Sequence, residues 1–275
     1  MPRSFRPLTA NSVAIIVLVL LLAINPHLAY AGTTTHTVTA NGNAQIDTAQ
    51  SKFGGASGLF DGTGDYLSIP DSDDWYFGAG AFTIDFWVRS NALPATSGMQ
   101  MIVCHYQDAS NYWFFGLYNS AGAYQWQFGN KAGDSFNILV TKNSPGLSTD
   151  AWYHIALVRN GNSWMIFQGG TQVGTTDTDS DAVSGFTNNL QIGYFSATNP
   201  YYLNGWLDEF RVSKGVARWT SNFTPPTSAY AADSPTVLLL HMNGADGSTT
   251  FIDDSAVPGP DFSINASPTP QSVGA

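Results

Sequence analysis

The sequence predicts an all-β fold, an antiparallel two-sheet sandwich, and three observations carry that prediction. Short apolar and aromatic runs alternate with Gly, Asn, Asp and Ser along most of the chain. Pairs such as Asn160-Gly161 and Gly169-Gly170 stand between these runs, where tight turns join antiparallel strands. Helical periodicity is almost absent beyond the first thirty residues. Many short strands with turns at regular spacing are typical of a sandwich.

Ten segments have the length and composition of strands, being rich in aromatic and β-branched residues and bounded by turn formers. They are 66–70, 82–90, 99–107, 111–119, 123–129, 136–142, 152–160, 163–170, 189–196 and 206–213.

Alternation within these segments predicts which side chains face the core, because a strand points successive side chains to opposite sides. The predicted inward positions are Phe82, Ile84, Phe86, Tyr124, Trp126, Phe128 and Phe210. Gln125 and Gln127 fall on the opposite face of their segment, which we expect to be solvated.

The first thirty-one residues have the three-part pattern of a signal peptide. Arg3 and Arg6 precede the unbroken apolar run 13–24, and the sequence Ala-Tyr-Ala at 29–31 supplies a cleavage pattern. This run is too short to cross a bilayer, which takes about 20 apolar residues. We predict cleavage before Gly32 and a mature chain that has no membrane span and is secreted or displayed at the cell surface.

The charge balance excludes one class of partner. The chain has 20 acidic and 10 basic residues, a net charge of −10. Nucleic acid binding needs a basic footprint, so we expect no nucleic acid partner. An acidic surface favours solubility outside the cell, and its carboxylates can bind divalent cations. Cys104 is the sole cysteine, so no intrachain disulfide can form.

The chain changes character after residue 230, where two proline-bearing stretches flank an apolar segment. The stretch 261–271, "DFSINASPTPQ", matches 35–45, "THTVTANGNAQ", in hydrophobic pattern. We predict a main domain over 32–230 and a C-terminal segment over 231–275. This segment either begins a second repeat or supplies a strand that completes the sandwich. Such a strand would also allow self-association by strand swapping.

Four stretches, in this order, resemble one family. They are "LFDGTGDYLSIP" (59–70), "FTIDFWVRS" (82–90), "DAWYHIALVRNGNSWMIFQGGTQVG" (150–174) and "LNGWLDEFRVSKGVARW" (203–219). Over about residues 53–230 the chain resembles the laminin-G-like, concanavalin A-like jelly roll of the pentraxin type. The resemblance implies two curved antiparallel sheets. It also implies an extracellular recognition module, commonly for glycans or glycoproteins and often with calcium, but no reaction, because this fold hosts both lectins and glucanases.

The distribution of acids argues against the glucanase branch, whose site needs paired carboxylates on one strand face. Glu209 is the only glutamate, and Arg211, Val212 and Ser213 stand where a second acid would be. Because Asp208 and Glu209 interrupt an apolar strand, we expect a bulge or a strand rim there, with Glu209 paired to Arg211. We predict no enzymatic activity. The alternative is an extracellular glycoside hydrolase, or a fragment of one, with an atypical acid pair.

The sequence "DTDSD" predicts a calcium site. It places Asp177, Asp179 and Asp181 at alternate positions, as loops that bind hard cations do. Asp208 is an alternative ligand, carried by the acidic end of the strand that resembles the family's closing strand. The competing interpretation of the aspartates is a solvated acidic turn.

Carbohydrate recognition needs an exposed aromatic ring beside amides or carboxylates. Tyr201 and Tyr202 in "NPYY", and Tyr112 and Trp113 in "SNYW", are the candidate rings. The sequence therefore favours a secreted, non-catalytic recognition or adhesion module for a glycan or glycoprotein, possessing a calcium site. A purely structural repeat of a surface protein remains the further alternative.

Overall fold

A computed structural model of the chain describes residues 35–195 and 200–256. The predicted signal peptide, 1–31, and the stretch 261–271 that suggested a second repeat lie outside the described residues. Among the described residues, the only helical element is a short 3-10 turn, Asp73–Trp75. No helix in these two ranges reaches the length and hydropathy that a membrane crossing requires.

The strands in chain order are β1 (Thr39–Asn41), β2 (Gln45–Asp47), β3 (Ser57–Asp61), β4 (Tyr66–Ile69), β5 (Phe82–Ser90), β6 (Met99–Asp108), β7 (Asn111–Ser120), β8 (Ala123–Ala132), β9 (Ser135–Asn143), β10 (Trp152–Asn160), β11 (Ser163–Gln168), β12 (Thr171–Gln172), β13 (Asp177–Thr178), β14 (Leu190–Ile192), β15 (Tyr194–Phe195), β16 (Tyr201–Tyr202), β17 (Asn204–Lys214) and β18 (Thr236–Leu240).

These strands form two large sheets and a small hairpin. A seven-stranded sheet has the order β1-β4-β14-β6-β7-β8-β9. A nine-stranded sheet has the order β12-β11-β10-β5-β17-β3-β2, with β13 beside β11 and β18 beside β17. β15 and β16 pair with each other. The predicted all-β, antiparallel two-sheet jelly-roll sandwich is confirmed.

The core between the sheets is largely aromatic. Phe82 stacks on Phe77 with ring centroids 4.1 Å apart, and Phe86 stacks on Phe210 at 6.0 Å. Every side chain predicted to point inward contributes to this core. Tyr124 is half-buried against it, and the other six are at most 1% exposed. The predicted inward positions are therefore correct: period-two alternation holds for them in β5 and β8, and Phe210 lies in the core beyond the irregular part of β17.

β17 bulges where it changes partners. Its first half pairs with β3 along Asn204–Leu207, and its second half pairs with β18 along Phe210–Ser213. Between these stretches the register against β5 shifts between Asp208 and Arg211, and Glu209 has a positive φ of 54°. The predicted bulge is confirmed.

The expected ion pair between Glu209 and Arg211 is wrong. Arg211 instead pairs with Asp85, and Glu209 contacts His241. Both side chains lie on the covered outer face, but each is engaged elsewhere: Arg211 donates to the Asp85 carboxylate, and Glu209 accepts the Tyr230 N–H and meets His241.

β18 lies in the same sheet as β2, β3 and β17. Its Leu238 and Leu240 enter the core between the sheets, whereas Leu239 faces the outer side, and all three are fully buried. The strand pairs with its own chain along the half of β17 that β3 does not reach. Exchange of this strand between two copies stays a prediction.

Candidate functional site

The outer face of the nine-stranded sheet is covered by the chain that follows β17. The first portion of this cover packs on β10 and β11. Its Ala217, Trp219 and Phe223 contact the buried strand residues Ala156, Val158, Met165 and Phe167. A second portion packs on β5 and β18, joining Tyr230 and Ala232 to Trp87 and Leu239. This face therefore presents no open groove built from these residues.

A buried charge network lies beneath the cover. Asp85 is fully buried and accepts two hydrogen bonds from Arg211, from Nε at 3.0 Å and Nη2 at 2.9 Å. His154 Nε2 lies 3.6 Å from the same carboxylate, and the Tyr230 ring lies 4.2 Å from the Arg211 guanidinium carbon. Burial opposes ionisation of Asp85, but His154 and Arg211 hold its pKa below the usual value. The network ties three strands to the covering segment.

Glu209 belongs to the same covered region. It accepts a hydrogen bond from the Tyr230 N–H at 2.7 Å, and its carboxylate lies 2.9 Å from His241 Nδ1. The hydrogen bond with Glu209 raises the pKa of His241. The single glutamate of the chain thus holds the covering segment in place.

Asp208 is buried under a different loop. Its Oδ2 accepts hydrogen bonds from the N–H groups of Lys52 at 2.7 Å and Phe53 at 3.0 Å. Burial raises the pKa of Asp208 to about 7, the Glu209 carboxylate adds to the rise, and the two N–H donors oppose it. A fully buried carboxylate with these partners does not fit the expected role of a calcium ligand.

The three aspartates of "DTDSD" make separate contacts. Asp177 lies in β13 and contacts Lys142 Nζ at 2.6 Å, whereas Asp181 accepts a hydrogen bond from Asn137. The Asp179 carboxylate accepts the Asp181 N–H at 2.7 Å. Within residues 35–195 and 200–256, no three His, Cys, Asp or Glu side chains are grouped to hold a metal. The donor set does not fit calcium, and calcium binding stays a prediction of the sequence.

The outer face of the seven-stranded sheet, in contrast, is open. It carries an apolar groove of about 310 Å³ over β6 to β9, bounded on one side by the β15–β16 hairpin. Its main lining residues are Met101, Tyr112, Phe114, Phe136, Phe195 and Tyr201. Gln127 is the only amide among the lining residues, which include no charged side chain.

Glycines make room for this groove. Gly129 lies beneath the Phe114 ring, and a Cβ there would stand 2.6 Å from that ring and 2.9 Å from Ile138. Gly116 lies on the same face, and a Cβ there would stand 2.7 Å from the Gln100 carbonyl. The Phe114 ring lies low over the sheet because Gly129 has no side chain.

The aromatic rings around the groove contact one another edge to face or at a tilt. Tyr112 meets Phe195 at 5.0 Å and Phe136 at 6.3 Å, and Phe195 meets Tyr201 at 6.3 Å. Phe136 is 47% exposed on the edge strand β9, and Tyr112 and Tyr201 are half-buried. These rings form a supported wall that still offers surface to a ligand.

A row of amides runs beside the groove. Gln125 Nε2 donates to Asn143 Oδ1 at 2.9 Å, and Gln127 Nε2 donates to Gln125 Oε1 at 3.2 Å. The row orients the Gln127 side chain at the groove, where no described residue donates to its Oε1. Both glutamines are half-buried on the face opposite the core, as alternation predicted.

The structure brings together two of the four predicted carbohydrate-binding rings. Tyr112 and Tyr201, far apart in sequence, both line the groove. Tyr202 faces the other side of the hairpin, where it stacks on Tyr194 at 4.8 Å. Trp113 is fully buried beside Phe128, so the expectation of an exposed ring there is wrong. Neighbouring strand residues point to opposite faces, and Tyr112 and Trp113 could not both be exposed.

Sequence reasoning missed the other groove residues. Phe136 and Ile138 flank the polar Asn137, but a local pattern does not show which face of a sheet lacks cover. Phe195 lies near the end of the predicted strand 189–196 and in fact belongs to β15, the first strand of the hairpin. The run Ile138-Leu139-Val140 interrupts the alternation of this segment, so no local signal marked Phe136 and Ile138 as exposed.

The comparisons with known proteins agree with this fold. Residues 61–220 match the family described as the concanavalin A-like lectin/glucanases superfamily, of the laminin-G type. This match covers more than half of the sequence, and the chain belongs to that family. A search of curated proteins finds no match.

Several solved structures share the architecture. The enzymatically active domain of bacteriophage CBA120 tailspike protein 2 aligns with a TM-score of 0.54 at 12% identity, covering 85% of this chain and 35% of that one. The full-length tailspike protein 2 from an Escherichia coli O157:H7 bacteriophage gives 0.52 at 15% identity, over 70% and 28%. The binding domain of botulinum neurotoxin DC, solved with rat synaptotagmin II, gives 0.50 at 16% identity, over 66% and 44%. The chain spans about a third of the tailspike structures, and these low identities show the shared fold alone.

Proposed function

We propose that this protein is a secreted, non-catalytic module that binds the carbohydrate of a glycan or glycoprotein in the groove on the seven-stranded sheet. The observation that carries the proposal is the open wall of Tyr112, Phe136 and Tyr201 beside the oriented amide of Gln127. A sugar ring has an apolar face that packs on aromatic rings and hydroxyl groups that bond to amides. Membership of a superfamily that includes lectins supports the same function.

The placement of the acids supports a non-catalytic role. The lining of the groove includes no aspartate or glutamate, and glycoside hydrolysis of the common type needs two. Asp208 and Glu209 are buried on the other sheet, where they accept backbone hydrogen bonds. A glycoside hydrolase would need an acid pair elsewhere on the molecule.

The pattern of residues 1–31 supports export, and the buried Cys104 is consistent with an oxidising surrounding. Burial raises the pKa of the Cys104 thiol above its ordinary value, so the reactive thiolate form is disfavoured. Outside the cell, the module would meet surface glycans and glycoproteins.

The test is binding of the purified chain to an array of neutral and acidic glycans, followed by calorimetry with the glycans that bind. Tyr112→Ala should weaken binding about five- to thirty-fold, because a stacking ring contributes on the order of 1–2 kcal/mol. Tyr76→Ala is the matched control, since Tyr76 is 52% exposed and does not line the groove. Melting curves confirm that both variants are folded.

Two results would overturn the proposal. One is a folded, intact chain that binds no glycan on the array. The other is a Tyr112→Ala variant that binds as well as the Tyr76→Ala control. Release of reducing sugar from a bound oligosaccharide would instead favour the glycoside hydrolase alternative.

A further inference from the structure

We infer that a second depression on the same sheet face is a further sugar subsite, and that the ligand is a linear neutral glycan running across the strands. This inference rests on the proposed function and extends it to a substrate class. The second depression lies over β6 and the residues around β14, next to the aromatic groove.

This second depression, which we term the amide pocket, has a volume of about 370 Å³. It is lined by one aromatic ring, Tyr106, and four amides, those of Gln107, Asn188, Asn189 and Gln191. The lining includes no charged side chain. A side-chain amide offers both a donor and an acceptor, so four of them can match several hydroxyl groups at once.

Hydrogen bonds within the protein hold two of these amides at one end. Gln107 Oε1 accepts from the N–H and the hydroxyl of Thr187, both at 3.2 Å. Asn188 Nδ2 donates to the Gln107 carbonyl at 2.9 Å. Asn188 Oδ1 accepts no hydrogen bond from any described residue, so this end of the amide is offered to a ligand in a fixed position.

The amide pocket adjoins the aromatic groove through a pair of tyrosines. Tyr106 of the amide pocket and Tyr112 of the groove are cross-strand partners, and their rings stack at 5.8 Å with 25° between the planes. Phe195 lies edge-on to both, at 5.1 Å and 5.0 Å. The two depressions therefore share one aromatic ridge, over which sugar rings can lie.

The distance across the strands sets the length and the direction that we expect for the ligand. The strands β14, β6, β7, β8 and β9 are successive neighbours, so β14 to β9 spans roughly 19 Å at the usual strand spacing. A single sugar ring is far shorter than this path. Occupying both depressions takes a chain of several units that crosses the strands.

The charges favour a neutral chain. The protein has a net charge of −10, which repels anionic polysaccharides. Neither depression is lined by a cation. Lys131, opposite Tyr112 on β8, donates through Nζ to the Ala109 carbonyl at 2.7 Å. The polar groups that line the two depressions are thus amides and tyrosine hydroxyls, which suit sugars that bear only hydroxyl groups.

The experiment measures how strongly short and long oligosaccharides bind to variants of the aromatic groove and of the amide pocket. Calorimetry uses trisaccharides and hexasaccharides of the cello, xylo, manno and arabino series, with a heparin hexasaccharide as the anionic probe. The variants are the double change Asn189→Ala with Gln191→Ala, the groove variant Tyr112→Ala, and the control Asn162→Ala on an exposed turn. Melting curves verify that each variant is folded.

We expect the double variant to weaken hexasaccharide binding about ten-fold, which corresponds to the loss of one or two net hydrogen bonds. Trisaccharide binding should change less than about two-fold in this variant, because a short ligand is held by the groove alone. Tyr112→Ala should weaken both lengths, and Asn162→Ala neither.

Equal losses at both lengths, or an unchanged hexasaccharide affinity in the double variant, would overturn the inference and leave the proposed function standing. Tighter binding of the heparin hexasaccharide than of any neutral probe would overturn the assignment to neutral glycans. Failure of every probe to bind a chain that binds another glycan on the array would overturn the inference alone, whereas a chain that binds neither the probes nor any glycan on the array would overturn the proposed function as well.

Discussion

The two outer faces of the sandwich are both rich in large apolar side chains, yet only one is covered. On the nine-stranded sheet, Trp87, Phe167 and Leu239 are nearly or fully buried under the chain that follows β17. On the seven-stranded sheet, Phe136 and Ile138 remain 47% and 37% exposed. Similar residues therefore serve stability on one face and are free to contact a ligand on the other.

The polar groups follow the same division. The covered face contains charged side chains, which are paired with one another because an unpaired buried charge is costly; Asp208, held only by backbone N–H groups, is the exception. The open face offers neutral amides whose remaining donors and acceptors can be satisfied by water or by a ligand. Substitutions on the two faces should accordingly affect different measurements.

The largest expected effect on stability is that of Arg211→Ala. Removing the guanidinium leaves the Asp85 carboxylate buried without its two hydrogen bonds, which should cost about 3–5 kcal/mol of unfolding free energy. Lys131→Ala on the open face is the control, and it should cost less than about 0.5 kcal/mol. Urea unfolding at neutral pH measures both. Similar losses in the two variants would contradict the division between the faces.

The apolar side chains should show the same contrast with a smaller effect. Leu239→Ala removes a fully buried side chain from the covered face and should cost about 2–4 kcal/mol. Ile138→Ala removes a partly exposed side chain from the open face and should cost about 1 kcal/mol or less. The same unfolding titrations apply. A loss at Ile138 as large as that at Leu239 would show that the groove is part of the core.

Asp208→Asn should raise stability in alkaline solution. The folded pKa of Asp208, about 7, is above the unfolded value, so its protonated form favours folding and this contribution is lost as the pH rises through 7. The amide keeps an acceptor for the two backbone N–H groups without the buried charge. At pH 8 the variant should gain roughly 1–3 kcal/mol of unfolding free energy, and near pH 4 almost none.

Unfolding at both pH values checks the Asp208 prediction, with Asp134→Asn on an exposed turn as control. A variant that is less stable than the parent at pH 8 would contradict it. That result would mean that the Asp208 charge has a partner which outweighs the cost of burial.

The smallest expected effect is that of calcium. Because Asp177, Asp179 and Asp181 contact separate partners, calcium or a chelator should leave the melting temperature unchanged. Differential scanning calorimetry with millimolar calcium tests this. A calcium-dependent rise that disappears in Asp179→Ala would support the calcium site predicted from the sequence, and would show that the loop rearranges around the ion.

The sequence by itself determined the strands and much of the core. Period-two alternation is a local property, so Phe86, Trp126 and Phe210 could be assigned to the interior without knowing the partner strands. The bulge at Asp208 and Glu209 was also predictable, because two acids interrupt an apolar strand there. The shortage of glutamate argued against a glucanase site before any geometry was known.

Only the tertiary structure decided which outer face is open. That depends on the path of the chain after β17, which has no regular period, and on the pairing of β18 with the second half of β17. Tyr112, Phe136 and Tyr201 line one groove because of the order of the strands in the sheet. Long-range strand pairing sets that order, and no local sequence pattern shows it. For the same reason, the sequence could not show that Asp177 and Asp181 contact Lys142 and Asn137 of β9.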